Sequence, residues 1–203
     1  SKRFEEMGVS VPVSKIMTSG EAAAWRLASE GVKSAFVMGT TSLRRQFEAA
    51  GISMNENSPD AVVLGFDKDL TWERLRIACS LIRQGVPYVA THPDINCPTP
   101  DGPVPDTGAI IEAIFASTGA RPGRVFGKPS KEFIELAMER AGAGADRTAM
   151  VGDRLYTDIQ AGHNAGVISV LVLSGETDKA MLDSSEIRPD YVFDSLADIL
   201  SSL

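Results

Sequence analysis

Two aspartates follow an apolar run in the C-terminal half of the sequence. The run TAMVGD, at residues 148–153, ends at Asp153, and Asp158 follows five residues later. Open α/β sheets bind ligands beyond the carboxyl ends of their strands, so both side chains are expected in that crevice. Carboxylates suit a hard cation such as Mg²⁺, which keeps waters that a phosphate can replace. The pair predicts a metal site, with a helix N-cap as the alternative role for Asp158.

A lysine occupies a comparable place upstream. The stretch RVFGKPS, at residues 124–130, sets Lys128 just after another strand end, before Pro129 and a helix capped by Ser130. The ammonium group of a lysine there is a compact positive charge for phosphate oxygens. Lys128 is therefore predicted to bind a phosphoryl group.

The stretch DAVVLGFDKDLTWERL, at residues 60–75, imitates a site of the same kind. Its apolar run ends at Asp67 and Asp69, and Thr71 adds a hydroxyl, a set that could hold a metal and attack a phosphate. The chain then enters a helix at once, with Thr71 as the expected N-cap and an apolar face formed by Leu75, Ala78, Leu81 and Ile82. We predict a structural role for the acidic pair and keep Asp67 as an alternative nucleophile.

Short apolar runs alternate with helical patterns along the chain. The strands are predicted at residues 33–39, 61–66, 86–91, 124–127, 148–153, 168–175 and 190–195. Several of the helical patterns between them open on Ser, Thr or Asp and close on Gly, as helices do. This alternation is typical of a parallel sheet covered by helices, so the predicted fold class is α/β.

The composition excludes several kinds of partner. The chain has 203 residues, 43% of them hydrophobic, which is enough for a globular protein with a core. Its formal net charge of -7, without runs of Lys or Arg, argues against nucleic acid or an anionic membrane as a partner. No stretch has the length of a membrane span, and the first residues lack the core of a signal peptide. Cys79 and Cys97 are too few for a disulfide framework, so we expect a cytoplasmic location.

Three motifs together resemble those of a known family. They are GKPS at residues 127–130, VGDRLYTDIQAG at 151–162 and VLVLSGET at 170–177. The sequence is similar to the haloacid-dehalogenase (HAD) superfamily, and within it to the NagD-like and nitrophenyl-phosphatase-like phosphatases. The likeness extends upstream through TSGEAAAWRL and YVATHPD and covers nearly the whole chain. It implies a Rossmann-like, doubly wound parallel sheet core with an inserted α/β cap domain.

The resemblance also implies a mechanism. Lys128 would bind the phosphoryl group, and Asp153 and Asp158 would hold Mg²⁺. The nucleophile of such enzymes is an Asp in an Asp-x-Asp-Gly motif, which forms an aspartyl phosphate. The match places that motif upstream of Ser1, so the chain as given is expected to lack the nucleophile and to be inactive alone.

A substrate-binding segment is implied at residues 91–94. The resembled enzymes place a comparable segment, usually with Asn before Pro-Asp, over the active site, and here His92 replaces that Asn. Thr91 ends a predicted strand, in the manner of the family's phosphate-binding Ser or Thr. Thr91, His92 and Asp94 are therefore predicted to contact the substrate.

These expectations combine into one functional prediction. Residues 1–30 and 123–203 would form the HAD core, and residues 31–122 the cap, through which such proteins often form homodimers. The predicted activity is Mg²⁺-dependent hydrolysis of a small phosphorylated metabolite such as a sugar phosphate, phosphoglycolate or a nucleotide. The alternatives are a non-catalytic module that binds a phosphometabolite or a partner protein, and a phosphotransferase that uses Asp67.

Overall fold

Helices and strands alternate in the computed structural model, which describes residues 2–201, and the side chains of residues 4–199. The helices are α1 (Lys2–Glu6), α2 (Ser19–Ser29), α3 (Thr41–Ala49), α4 (Trp72–Arg83), α5 (Thr107–Thr118), α6 (Lys131–Ala141), α7 (Gln160–Ala165), α8 (Lys179–Ser184) and α9 (Leu196–Ser201). The strands are β1 (Ser34–Met38), β2 (Ser53–Met54), β3 (Ala61–Leu64), β4 (Tyr88–Ala90), β5 (Asn96–Cys97), β6 (Val104–Pro105), β7 (Arg124–Val125), β8 (Ala149–Gly152), β9 (Ile168–Val172) and β10 (Tyr191–Phe193). The chain divides into two units, Ser1–Phe126 and Gly127–Leu203.

Side-chain caps set where most of these helices begin. Thr18, Thr40, Thr71, Asp106, Ser130 and Asp178 each accept a hydrogen bond from a backbone N–H of the first turn. Three helices end at a glycine in the left-handed conformation, namely Gly119, Gly142 and Gly166. The predicted Thr71 cap is confirmed, because its hydroxyl accepts from the Arg74 N–H at 3.2 Å.

The first unit is built on a five-stranded sheet in the order β2-β1-β3-β4-β7, and all of its pairings are parallel. Alternate strand residues face opposite layers of helices. Val37 and Val63 pack with residues of α2 and α3, whereas Met38 and Leu64 pack with residues of α4 and α5. This α/β/α layering, with apolar strands buried on both faces, confirms the predicted fold class.

The division after Phe126 lies close to the predicted start of the second core segment at residue 123. Helix α2 belongs to the first unit, where Ala23, Ala24 and Leu27 are buried against its sheet. The assignment of residues 1–30 to the same domain as residues 123–203 stays a prediction.

The second unit contains a three-stranded parallel sheet in the order β10-β9-β8. Ile134 of α6 and Ala161 of α7 form one cluster of its core. Leu155, Ile159 and Leu171 form another. Strand β8 is an edge of this sheet within the described residues, and its Val151 is 37% exposed.

None of the helices formed by residues 2–201 combines the length and the apolar character that crossing a bilayer requires.

In both parallel sheets, an aspartate that precedes one strand accepts hydrogen bonds from a serine of the neighbouring strand. Asp60 precedes β3 and accepts from the backbone N–H and hydroxyl of Ser34, at 2.8 and 3.1 Å, beside the start of β1. Asp190 precedes β10 and accepts from the backbone N–H and hydroxyl of Ser169 in β9, at 2.8 and 2.7 Å. Hydrogen bonds from the serine backbone and side chain lower the pKa of Asp190, which is therefore bound best in its ionised form.

The Asp190 tie should contribute to stability in a pH-dependent way. We expect Asp190→Asn to lower the Tm by about 2–4 °C at pH 7, because charged acceptors form the stronger hydrogen bonds. Since the folded-state pKa lies below the ordinary value of 3.8, the stabilisation is complete above that pH and is lost as the pH falls below it. Thermal unfolding from pH 7 to pH 2.5 measures this. Asp183→Asn, the same change at an exposed site of the same unit, should have no effect, and an equal loss in both variants would contradict the prediction.

Candidate active site

Lys128, Asp153 and Asp158 occupy neighbouring positions in the second unit. Asp153 directly follows β8, and Asp158 lies in a π-helical turn, Leu155–Ile159, that leads into α7. Short π-helical turns are frequent at functional sites because they redirect a side chain. Here the turn points the Asp158 carboxylate back toward the residues that follow β8.

The Asp158 carboxylate is buried and fully engaged. It is 3% exposed, Oδ1 contacts the Lys128 ammonium group, and Oδ2 accepts from the Arg154 N–H at 3.1 Å. A buried carboxylate is costly unless donors compensate its charge, and these two donors do so. Asp158 therefore orients Lys128, whose side chain is 38% exposed.

Gly152 allows this close approach. A Cβ at Gly152 would lie 2.3 Å from Cβ and Cγ of Asp158, a distance that side chains do not tolerate. The close approach of Asp158 thus explains why a glycine precedes Asp153. The Gly-Asp motif and Asp158 depend on each other structurally.

Asp153 is held by the loop after β9. Its Oδ2 accepts from the Glu176 N–H at 2.8 Å, and its carbonyl oxygen accepts from the Thr177 N–H at 3.1 Å. Gly175 lies so close that a Cβ there would be 2.1 Å from Asp153 Oδ2. These contacts fix the carboxylate beyond the end of β8.

The sequence analysis missed Glu176 as a part of this site. Its carboxylate contacts Arg154 Nε at 2.6 Å and accepts from the Tyr156 hydroxyl at 2.9 Å. Glu176 thereby links its own loop to the segment that follows Asp153. The only sequence signal was the glycine in VLVLSGET, which marks a close backbone approach.

The donor set fits a hard divalent cation, mainly through Asp153. Among the described residues, no hydrogen bond occupies Asp153 Oδ1, and the residue is partly exposed. Asp158, in contrast, already receives a donor on each oxygen. A cation is therefore best bound by Asp153 directly and by Asp158 through water.

The segment that contains Thr91, His92 and Asp94 lies in the first unit, after β4. Thr91 is 2% exposed, and its hydroxyl is 2.8 Å from His92 Nδ1. His92 Nε2 is 2.9 Å from Asp106 Oδ1 and 3.0 Å from the hydroxyl of Thr107, at the start of α5. The structure thus brings these predicted residues together around Asp106, which the sequence analysis did not select.

His92, Asp94 and Asp106 form a group that could hold a metal by distance alone. One ligand atom from each lies within 4.8 Å of the others. Both imidazole nitrogens already have hydrogen-bond partners, however, and Asp106 Oδ1 also accepts from the Thr107 N–H at 2.6 Å. Hydrogen bonding accounts for this group without a metal.

Asp67 has the surroundings of a structural residue. Its side chain has no exposed surface, Oδ1 accepts from the Asp69 N–H at 3.0 Å, and Oδ2 lies 2.6 Å from Arg74 NH1. The contact with Arg74 lacks good hydrogen-bond geometry, so its attraction is mainly coulombic. Burial lowers the pKa of Arg74, and the Asp67 charge partly offsets this effect.

An apolar side chain packs at the carboxyl ends of β1 and β3, close to Asp67 in the sequence. The strand order reverses between β1 and β3, the place at which doubly wound sheets usually bind ligands. The Leu43 side chain packs there against Gly39 and Gly65, where a Cβ would lie 2.5 and 2.6 Å from Leu43 Cδ2. These contacts argue against the phosphotransferase that uses Asp67.

Asp67→Asn should therefore cost stability and leave chemistry intact. Loss of the carboxylate leaves a largely buried guanidinium without its charge partner, and we expect a loss of about 1–3 kcal/mol. Urea denaturation measures this, with the exposed Asp69→Asn as the matched control. Phosphatase turnover of the full-length variant, at a temperature where it is folded, should equal that of the wild type. Lost turnover in a folded Asp67→Asn protein would restore the idea of an Asp67 nucleophile.

The fold is α/β, with a lysine and two carboxylates brought together in the second unit. Comparison with known proteins gives the class more closely. Residues 125–199 match the family model described as HAD-hydrolase-like. The sequence is 36% identical over 200 residues to dihydroxyacetone phosphatase of Corynebacterium glutamicum, a match that covers 98% of this chain and 72% of the relative. It is 35% identical over 199 residues to the ribonucleotide monophosphatase NagD of Escherichia coli, covering 98% of this chain and 78% of NagD.

A solved structure gives the same result. The 4-nitrophenylphosphatase of Thermotoga maritima superposes with a TM-score of 0.95 at 48% sequence identity, covering 98% of this chain and 77% of that protein. The chain belongs to the NagD-like, p-nitrophenylphosphatase-like branch of the HAD superfamily. The predicted family and the predicted class of enzyme, a HAD-like phosphatase, are confirmed, and the non-catalytic alternative is not supported.

Proposed function

We propose that this phosphatase hydrolyses a small phosphomonoester in a Mg²⁺-dependent reaction that passes through an aspartyl phosphate. The observation that carries the proposal is the contact of Lys128 with the buried Asp158, next to the oriented carboxylate of Asp153. An ammonium group fixed beside two carboxylates can bind phosphoryl oxygens at a place that also attracts a divalent cation.

Each residue has a separate role in the proposed site. Lys128 binds the phosphoryl oxygens and holds the substrate in place, and Asp158 keeps the ammonium group oriented. Asp153 would be the direct ligand of Mg²⁺, with Asp158 completing the shell through water. The bound cation would neutralise the charge that develops on the phosphoryl group.

The nucleophile is proposed to come from a strand that pairs with β8. Asp153 is proposed as the ligand of the cation, Asp158 has a donor on each oxygen, and Asp67 is buried beside Arg74, so none of these three carboxylates is proposed as the nucleophile. A parallel strand beside the open edge of β8 would bring its own carboxyl end next to Asp153. The resemblance implies that this group is an aspartate upstream of Ser1.

The proposed reaction has two displacement steps. The carboxylate oxygen forms a bond to phosphorus, the bond from phosphorus to the ester oxygen breaks, and the leaving oxygen takes a proton from a general acid, which the resemblance assigns to the second Asp of the Asp-x-Asp-Gly motif. Water then attacks phosphorus and gives a proton to that same group, and the bond from phosphorus to the carboxylate breaks, which releases inorganic phosphate and restores the carboxylate. Residues 31–122 are proposed as the cap that limits access of water, and the segment from Thr91 to Asp94 as the part that contacts the leaving group.

The size of the substrate and the oligomeric state are proposed from the relatives and from the family resemblance. The names of the relatives refer to dihydroxyacetone phosphate, ribonucleotides and nitrophenyl phosphate, all small phosphomonoesters, which supports a metabolite of that size for this chain. We further propose a homodimer formed through the cap and a cytoplasmic location, on the resemblance alone. Sedimentation of the full-length protein tests the dimer.

Asp153→Asn tests the proposed function. In the full-length protein we expect the Mg²⁺-dependent hydrolysis of p-nitrophenyl phosphate to fall by about 100-fold or more, because the direct ligand loses its charge. The steady-state rate is measured against Mg²⁺ concentration, with Asp183→Asn as the control of equal charge. Full activity with an unchanged Mg²⁺ dependence would refute the metal assignment.

Lys128 can be tested separately from its effect on stability. Lys128→Met should lower turnover by about 100-fold and also lower the Tm, because it leaves a buried carboxylate uncompensated. The double variant Lys128→Met with Asp158→Asn should regain much of the Tm and none of the turnover. Recovery of turnover together with stability would mean that Lys128 has only a structural role.

A further inference from the structure

Strand β2 covers only the first part of the edge of β1. The ladder between the two strands ends where the Asn55 N–H donates to the Ala35 carbonyl oxygen at 3.0 Å. The Asn55 side chain then accepts from the N–H groups of Asn57 and Ser58, at 3.0 and 3.1 Å, and this turn leads the chain away from β1. The backbone of Val37, two residues after Ala35, faces the same side of β1 and lies beyond the end of β2.

Two arginines from opposite helical layers reach this uncovered edge. Arg44 of α3 donates to the Gly39 carbonyl oxygen at 3.2 Å, and Arg74 of α4 donates to the Val37 carbonyl oxygen at 3.0 Å. The carbonyl oxygens at the edge therefore accept hydrogen bonds already. The Val37 N–H points the same way, so what the edge offers a ligand is hydrogen-bond donors.

A cavity of about 200 Å³, partly open to solvent, lies at this edge. It is lined by Arg44, Arg74, residues 35–37 of β1, Met54 and Glu56, all of which belong to the first unit. Since a cavity of about 150 Å³ in a protein can accept benzene, this one has room for a compound of about six to eight non-hydrogen atoms.

Arg44 brings an uncompensated positive charge to the cavity. No carboxylate of the described chain lies within ion-pair distance of it, and its hydrogen bond to Gly39 leaves most of its five N–H groups unused. Arg74, in contrast, pairs with the buried Asp67 at 2.6 Å. Burial lowers the pKa of Arg74, the Asp67 charge partly offsets this effect, and the charge of Arg44 lowers the pKa further. The two guanidinium groups thus repel each other across a cavity that an anion could occupy.

The charges around the cavity favour a ligand with a single negative charge. Arg44 supplies one unpaired cation, whereas the exposed Glu56 repels an anion more strongly the higher its charge. The two oxygens of a carboxylate match the planar fork of a guanidinium group, and the Val37 N–H can donate a third hydrogen bond. The residues Phe36 and Met54 can pack against an apolar tail.

We propose that this cavity binds a small organic monocarboxylate, with its carboxylate on Arg44 and the Val37 N–H and its apolar part inside the cavity. The alternative is that the two arginines only stabilise the edge of β1 by donating to its carbonyl oxygens. That structural role would give the cavity no affinity for an anion. Binding here requires no turnover, so it can be measured whether or not the proposed phosphatase activity is found.

Titration of the full-length ¹⁵N-labelled protein with butyrate, at constant ionic strength, tests the site by NMR. We expect saturable shifts of the Val37 amide and Arg44 Nε–H signals, with a Kd in the millimolar range. Butyramide, of similar size but uncharged, should bind at least about 10-fold more weakly, and so should sulfate, a dianion. The absence of saturable shifts at these two groups, or equal affinity for butyramide, would overturn the proposal. Equal affinity for sulfate would overturn the choice of a monocarboxylate.

Three variants determine where butyrate binds. Arg44→Met should raise the Kd at least about 10-fold, read from the Val37 amide, whereas Arg45→Met, at the exposed next position of α3, should leave it unchanged. Glu56→Gln should lower the Kd about 2- to 5-fold, because it removes a repulsive charge. Equal effects of the two arginine variants would contradict the proposal. If Arg44→Met does not fold, the exposed Glu56→Gln decides, and an unchanged Kd there would contradict the proposal.

Discussion

The charge of the buried Asp158 carboxylate is the constraint on which the site in the second unit depends. A carboxylate that is 3% exposed needs donors, and the chain provides them from two directions, the Lys128 ammonium group and the Arg154 N–H. The π-helical turn directs the Asp158 side chain toward these donors. Gly152 has no side chain, which leaves space for the Asp158 carboxylate. Replacement of the pair by apolar residues would relieve the cost of burial, so its presence is best explained by chemistry rather than by stability.

The two ends of the parallel sheets serve different purposes. At the starts of strands, the pairs Asp60–Ser34 and Asp190–Ser169 tie neighbouring strands together. At the carboxyl ends, a carboxylate either keeps an oxygen free of hydrogen bonds among the described residues, as Asp153 does, or is buried beside a guanidinium group, as Asp67 is beside Arg74. Similar aspartates after similar strands thus have opposite roles, and the partner of each carboxylate decides which role it has.

Much of the fold could be predicted because it rests on local patterns. All seven predicted strands are present, since each has an apolar run of its own in the sequence, and most of the helices begin at the Ser, Thr and Asp caps. The two-residue strands β2, β5 and β6 were missed because pairing with a neighbour creates them, without an apolar run of their own. The site shows the same limit. Lys128, Asp153 and Asp158 stand in motifs, whereas Glu176 and Asp106 act through contacts with residues 23 and 14 positions away.

The central claim is that a divalent cation and a phosphoryl group meet at Asp153, beside the Lys128–Asp158 pair. Its most direct test is an anomalous diffraction map of crystals of the full-length protein soaked with Mn²⁺, which replaces Mg²⁺ and scatters anomalously. The account predicts a peak within coordination distance of Asp153, with Lys128 still in contact with Asp158. A peak on His92, Asp94 and Asp106, with none beside Asp153, would contradict it.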